Sequence, residues 1–228
     1  MFPVSWRFIP LGLLLSVLLP MLAYAEVAPS EEGSAETVKL PPPRTDSEVS
    51  LEEALALRRS VRSFTTETLT LDEISQLCWA AQGITRQDRG FRTAPSAGAL
   101  YPLELYLVTP DGLYHYNPRE HELEVLGTEY LRGKLADAAL RQSSVYSGSC
   151  IFVITAVYAR TSKKYRDRAP QYVHMEVGHA AQNLLLQAVA LGLGGVPIGA
   201  FYDDRVAEVL SLPADHEPLM IIPVGHPG

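Results

Sequence analysis

From Tyr172 to Leu191 the chain is apolar almost throughout, and Gly192 follows. Twenty residues of this kind form one long helix with apolar side chains on more than one side, ended by the glycine. Such a helix belongs in the interior of a domain. At 47% apolar and 20% charged residues, the 228-residue chain is globular and can bury a core around it.

Shorter elements surround it. Ser50-Leu51-Glu52-Glu53 has the spacing of a helix N-terminal capping box, with Leu51, Ala54, Leu55 and Leu57 as an apolar face. Thr70-Leu71-Asp72-Glu73 is a second box, followed by Ile74, Leu77, Cys78 and Ala81 at helical spacing and a stop at Gly83. Leu103–Thr109 reads as a strand, Pro110-Asp111-Gly112 as a turn and Leu113–Tyr116 as its hairpin partner. Leu123–Leu126, Ile151–Tyr158 and Leu219–Val224 read as strands and Val196–Phe201 as extended. Leu131, Leu135, Ala138 and Ala139 mark a helix, and Val206–Leu210 a short one. Helices and strands mix without regular βαβ alternation, which predicts an α+β fold.

Residues 1–25 carry Arg7, then the apolar run Phe8–Ala25 ending in Ala23-Tyr24-Ala25. This is the layout of a secretory signal peptide cleaved after Ala25, with export to the periplasm as the expectation and an uncleaved N-terminal membrane anchor as the alternative. Residues 26–49, rich in acid and proline with Pro41-Pro42-Pro43, read as a disordered linker, so the folded domain is expected over 50–228. With 19 basic against 26 acidic residues and a net charge of −7, the chain has no general electrostatic drive toward nucleic acid, which leaves only a local basic patch as a route to it. Cys78 and Cys150 have no CxxC or nearby histidine partner, so no zinc site is signalled. Export would permit them to pair, although Cys78 on the apolar face of a helix is expected as a buried thiol. His174 and His179 do not match HExxH, and no GxSxG elbow is present, so neither a metal site nor a hydrolase is indicated.

Four segments hold residue types suited to chemistry. Arg58-Arg59-Ser60-Val61-Arg62 offers guanidinium forks and a hydroxyl to an anion such as phosphate, or else is a solvated helix end. Arg92–Pro102, with Pro95-Ser96-Ala97-Gly98-Ala99, is a run of small residues that lets backbone amides approach a flat or anionic ligand, or an ordinary loop. Lys163–Arg168 places Lys164 beside Tyr165, a pair suited to moving a proton, or is a charged surface loop. Gly192–Phe201 contains four glycines that permit close approach to a cofactor; because it follows a helix rather than a strand, it is not a Rossmann fingerprint.

The order of these segments resembles the nitroreductase-like flavoprotein superfamily, and within it the SagB/ThcOx-type FMN-dependent dehydrogenases. The resemblance runs from about Lys39 to Pro227 through Leu51-Glu52-Glu53-Ala54-Leu55, the Arg-Arg-Ser-Val-Arg run, Pro95–Glu104, Lys164-Tyr165, Glu176–Asn183, Leu191–Gly194 and Ile198–Phe201. It implies an α+β fold with a mostly antiparallel sheet flanked by helices, and a homodimer with FMN in the subunit interface. It further implies that Arg58, Ser60 and Arg62 hold the FMN phosphate, with Arg59 near the ribityl chain or pyrimidine edge. Pro95, Ser96, Ala97 and Ala99 would approach the flavin, and Pro197, Ile198, Gly199 and Ala200 would lie along the isoalloxazine, a backbone donor there facing N5 or O4. Lys164 and Tyr165 match the Lys-Tyr pair of azoline-oxidising members, which removes a proton as hydride leaves to N5. Many nitroreductases carry a basic residue beyond the last strand; here Val224-Gly225-His226-Pro227-Gly228 holds no lysine or arginine, so phosphate binding is expected to rest more heavily on the arginine run, or on a further residue.

The implied activity is oxidation of a small-molecule or peptide-derived substrate by FMN, with electrons passed to oxygen, a quinone or a redox protein. Export argues against dependence on nicotinamide cofactors. The alternatives are an NAD(P)H-dependent nitro or quinone reductase and, outside catalysis, a flavin- or ligand-binding protein on the same fold.

Overall fold

The computed structural model describes residues 36–228. The expected signal peptide and the first part of the expected linker lie outside the described residues. Strand β1 (Thr37–Lys39), helices α1 (Leu51–Leu57) and α2 (Leu71–Gln82), and the small hairpin of β2 (Ile84–Arg86) and β3 (Phe91–Arg92) come first. A meander follows, of β4 (Leu103–Thr109), β5 (Gly112–Asn117) and β6 (Glu122–Gly127), then α3 (Arg132–Ala138) and α4 (Ser143–Ser147). Strand β7 (Cys150–Ala156) leads into α5 (Tyr158–Tyr165) and the long α6 (Ala169–Ala190), and β8 (Gly194–Gly195), α7 (Asp203–Val209) and β9 (Glu217–Gly225) complete the chain.

Seven strands form one sheet in the order β1-β6-β5-β4-β7-β9-β8, every pairing antiparallel. Side chains alternate along its central strands, so each strand feeds two cores. Leu103, Leu105 and Leu107 of β4, Phe152 and Ile154 of β7, and Ile222 of β9 pack with Leu77 of α2 and Val173, Val177, Ala180 and Leu184 of α6. Their neighbours Tyr106, Val108, Ile151, Val153 and Ile221 face the other way, onto Leu135 of α3, Val145 of α4 and Val206 of α7. Each large apolar side chain buried this way contributes roughly 1.5–3 kcal/mol. The α+β fold with a central antiparallel sheet is as expected.

The N-terminal boundary is corrected. Residues 37–44 do not behave as a solvated linker: β1 pairs with β6, Leu40 is buried in the α2–α6 core, and the Arg44 N–H and carbonyl bond the side chain of Gln76 at 2.8 and 3.0 Å. Proline and acid dominate the composition there, but β1 needs only three residues with one half-buried valine, too few to show a period. The Thr70 capping box forms in full and Gly83 ends α2, whereas at α1 only Ser50 caps, through the Glu53 N–H. Ala54 alone is buried on α1; Leu51, Leu55 and Leu57 stand 62%, 52% and 44% exposed. The leucines of this apolar face are therefore left uncovered among the described residues. The segment Val196–Phe201 runs beside β9, with the Val196 N–H donating to the Pro223 carbonyl at 3.3 Å and a bridge between Ile198 and Ile221.

Both cysteines are buried free thiols, and burial pushes each thiol well above its ordinary range. Among the described residues no helix is long and apolar enough to cross a membrane, and no cluster of His, Cys, Asp or Glu is arranged to hold a metal.

Candidate active site

The arginine run lies along the sheet edge at β8. Ser60 bridges Gly195 in parallel, the Val61 N–H donates to the Gly195 carbonyl at 3.0 Å, and Phe64 bridges Pro227. The two-residue period of an extended run sets Arg58, Ser60 and Arg62 to one side and Val61 to the other. Val61 fills the space over Gly194, where a Cβ would come within 2.7 Å of it. Arg58, Arg59 and Arg62 form no ion pair among the described residues, and Arg59 Nε turns back to the Leu57 carbonyl at 3.1 Å. Uncompensated guanidiniums beside an open strand edge suit a phosphate.

The glycine-rich segment is less uniform than its composition suggests. Gly192 is the left-handed residue that ends α6, at φ +73°. Gly194 and Gly195 make room for Val61 and Leu185, so packing within the chain accounts for them. Gly192 and Gly199 both have nothing within 4 Å of a built Cβ, and of the two only Gly199 lies outside the left-handed region. Ile198 is 4% exposed in the α3–α7 core, and its backbone N–H and carbonyl are both used by Ile221. Its expected contact with a planar ligand is therefore corrected: Ile198 anchors the segment. Pro197 has no N–H, and the Ala200 carbonyl already accepts a hydrogen bond from Gln142 Nε2 at 2.9 Å. Within Pro197–Ala200 the donors left for a ligand are the Gly199 and Ala200 N–H groups.

The small-residue run is a strained turn. Gly98, Ala99 and Tyr101 have φ of +65°, +53° and +47°, the last two costly for residues with a Cβ. The Ser96 carbonyl accepts the Ala99 N–H at 3.0 Å, and the Ser96 hydroxyl accepts the Tyr101 N–H at 2.9 Å. Pro95 and Ala99 are exposed, whereas Ser96 and Ala97 are half-buried. Lys164 and Tyr165 are not in a loop but on the last turn of α5, with a short 3₁₀ turn over Arg166–Arg168. The structure brings them to the turn: a Cβ on Gly98 would lie 3.0 Å from both Lys164 Nζ and Tyr165 Oη. The Tyr165 ring is held edge-on by Tyr172 of α6, 4.9 Å between centroids. Gly98 is thus required twice, by its φ and by the two side chains resting on it.

Polar groups missed in the sequence support the turn. Arg92 stacks on the Tyr101 ring at 4.7 Å and donates to Gln82 Oε1 at 2.7 Å. Arg160 pairs with Glu104 and donates to the Tyr101 carbonyl at 3.1 Å. His115 Nε2 sits 2.8 Å from Glu104 and its Nδ1 3.1 Å from Glu124. Burial disfavours charge on His115 and Glu104 alike, but their mutual hydrogen bond, with Glu124 and Arg160, prevails, raising the histidine and lowering the carboxylate. A cavity of about 450 Å³ opens between these groups and the β2–β3 hairpin. Glu176 of α6 is 2% exposed. A carboxylate inside an otherwise apolar helix was the signal that could have marked it in the sequence.

The nitroreductase family model matches residues 55–226. The chain is 45% identical over 184 residues to MJ1384 of Methanocaldococcus jannaschii, named as a nitroreductase, covering 78% of this chain and 91% of that one. It is 30% identical over 132 residues to the trifolitoxin-processing protein TfxB of Rhizobium leguminosarum, but this spans 53% of the chain and only 35% of TfxB. Among solved structures, a Ralstonia eutropha protein named as a nitroreductase superposes with TM-score 0.76 at 31% identity, over 86% of this chain and 92% of that one. The NADPH:FMN oxidoreductase of Vibrio harveyi superposes at 0.58 with 25% identity, over 78% and 68%. A match over most of the domain, in the same order as the motifs and on the same antiparallel sheet, makes this chain a member of the nitroreductase family.

Proposed function

We propose that this protein is an FMN-dependent oxidoreductase of the SagB/ThcOx type that oxidises a peptide-derived or small-molecule substrate. The observation that carries the reading is the convergence of Lys164 Nζ and Tyr165 Oη on Gly98, in a turn of small, left-handed residues. The name of TfxB, a toxin-processing protein, supports a peptide substrate, and the name of the Vibrio harveyi enzyme supports FMN.

The residues present fit the cofactor. Arg58, Ser60 and Arg62 form an unpaired cationic strip for the phosphate, with Arg59 beside it. Gly199 and Ala200 supply backbone N–H groups and, with Pro197, an open surface for a ring system, while Ile198 pins the segment to β9. Pro95, Ser96, Ala97 and Ala99 present the second small surface. FMN, when bound, supplies the hydride acceptor. Lys164 and Tyr165 take the proton that leaves the substrate as its hydride departs, and the rigid turn under them fixes where that proton is removed. Electrons then leave to oxygen, a quinone or a redox protein. The chain acts as a homodimer, for which the uncovered Leu51, Leu55 and Leu57, with Met175 50% exposed on α6, form the contact. Export directed by residues 1–25 places it outside the cytoplasm.

The test is retention of flavin absorbance by the purified protein after gel filtration with FMN, one flavin per chain, followed by turnover of an azoline-containing peptide monitored as loss of two hydrogens by mass. Failure to retain FMN sinks the reading. Retention with turnover only under NAD(P)H and a nitro or quinone acceptor selects the reductase alternative, and retention without turnover of any donor selects a flavin-binding protein.

A further inference from the structure

The cavity of about 450 Å³ beside the strained turn has no part in the chemistry above. Two turns contribute to it: Arg89 stands between β2 and β3 and Arg119 between β5 and β6, both exposed. Arg92 and Arg160, half-buried, line it with Glu104, Glu124 and His115. Ala99 and Tyr101 belong to the same wall. The cavity therefore begins one residue along the chain from Gly98, the point on which Lys164 Nζ and Tyr165 Oη converge.

The carboxylates of this cavity are already engaged. Glu104 pairs with Arg160 and lies 2.8 Å from His115 Nε2, and Glu124 lies 3.1 Å from His115 Nδ1. The other arginines are not neutralised in this way. Arg92 gives one N–H to the uncharged Gln82 amide at 2.7 Å and its flat face to the Tyr101 ring at 4.7 Å. Neither Arg92 nor Arg119 has a carboxylate within 4.0 Å among the described residues. Arg89 reaches Asp88 at 3.9 Å, and Asp88 already accepts two bonds from Arg86 at 3.1 Å. In a chain of net charge −7, one concave surface thus carries an excess of cations. Guanidinium groups keep their charge and match a carboxylate with a planar fork.

We propose that this cavity is a carboxylate subsite of the active site, in which Arg92, Arg89 and Arg119 receive an acidic group of the substrate. Neighbouring Cα atoms such as those of Gly98 and Ala99 are about 3.8 Å apart, so a substrate of two or three residues spans both the Lys164–Tyr165 pair and the cavity. The substrate class is accordingly a peptide or small molecule with a carboxylate close to the carbon that is oxidised. Its place in the reaction rests on the reading of Lys164 and Tyr165 given above, whereas binding of the carboxylate does not.

The first arm of the experiment needs no flavin. The purified chain is titrated with Ac-Gly-Asp-Gly-amide, with its Asn counterpart and with Ac-Gly-Asn-Gly bearing a free C-terminal acid, and the Nε–Hε resonances of Arg92 and Arg160 are followed by NMR. Saturable shifts are expected, with affinity for a carboxylate probe about 10-fold above that for the Asn amide. The stronger of the two acids tells a side-chain carboxylate from a chain terminus. Arg89→Gln combined with Arg119→Gln is expected to lower that preference about 3- to 10-fold, and Arg92→Gln to abolish it. The exposed pair decides the matter if Arg92→Gln does not fold. Absence of shifts, equal affinity for all probes or a preference untouched in the double variant would overturn the proposal. In the second arm FMN is titrated. The double variant is expected to bind it as wild type does; a dissociation constant raised about 10-fold would assign these cations to the cofactor phosphate and overturn the proposal. Failure of wild type to retain FMN would count against the proposed function and leave the probe titration to decide on the cavity.

Discussion

The arginine run and the Ser96–Tyr101 turn are both short segments of small and polar residues, but the fold treats them in opposite ways. Arg58–Arg62 is an extended run on an open sheet edge, held by backbone bonds to Gly195 and the packing of Val61, with its charges unpaired. The turn is bent through three left-handed residues and surrounded by Lys164, Tyr165, Arg92 and Arg160. The first has charge to spend on a ligand and little strain. The second spends its polar groups on itself and stores strain. A binding surface can be an exposed strip, because affinity needs only donors within reach. A reactive position needs groups fixed against one another, and fixing them takes burial and contacts from several elements.

This contrast predicts different losses on the two sides. The largest is expected from Lys164→Ala, which should lower the turnover number about 10²- to 10⁴-fold while leaving the FMN dissociation constant and the melting temperature near wild type. Steady-state kinetics beside flavin titration checks it, and a change confined to flavin affinity would erase the distinction between the segments. Next come Arg58→Ala and Arg62→Ala. Each is expected to weaken FMN binding about 10- to 100-fold, the worth of a charge-assisted hydrogen bond, with little change in stability. Fluorescence titration at two salt concentrations would show the loss.

Smaller effects sharpen how the strip is held. Gly194→Ala forces a Cβ into Val61 and is expected to cost about 1–3 kcal/mol of stability, weakening FMN binding as the run moves off Gly195. Gly199→Ala enters open space and is expected to change stability by no more than about 0.5 kcal/mol, so any effect on flavin affinity is a direct contact. Denaturant melts of the two variants make the comparison. The smallest effect concerns the network behind the turn. Glu104 is lowered from 4.5, so its contribution is present above that value and lost as pH falls through its folded value. His115 is raised from 6.5, so its contribution is full below that value and lost as pH rises through its folded value. The network is complete between about 4.5 and 6.5, and His115→Gln should flatten the decline in melting temperature above that window.

Much of this was legible in the chain. Thr70 and Glu73 specify the start of α2 through two reciprocal bonds within four residues, and the apolar run of α6 declares its burial by itself. The hairpin at Gly112 and the buried strand β7 follow from local turn chemistry and continuous apolar content. What was illegible depended on partners distant in sequence. β1 is a strand only because β6 has an edge to pair, and α5 reads as a charged loop because its polar face outnumbers the single buried residue Thr161. Leu51, Leu55 and Leu57 have a helical apolar period, and periodicity states that a face is apolar without stating whether this chain covers it.

The sequence alone determined the element types, the α+β class and, through the order of its motifs, the family, because caps, turns and periodic burial are properties of residues near one another along the chain. Tertiary structure decided which glycines accommodate Val61 and Leu185, that Ile198 is an anchor, and that Lys164 and Tyr165 meet at Gly98. Those are facts of distance between segments far apart in the chain, such as Val61 and Gly194 or Gly98 and Lys164, and only the packing of the helices against the sheet brings them together.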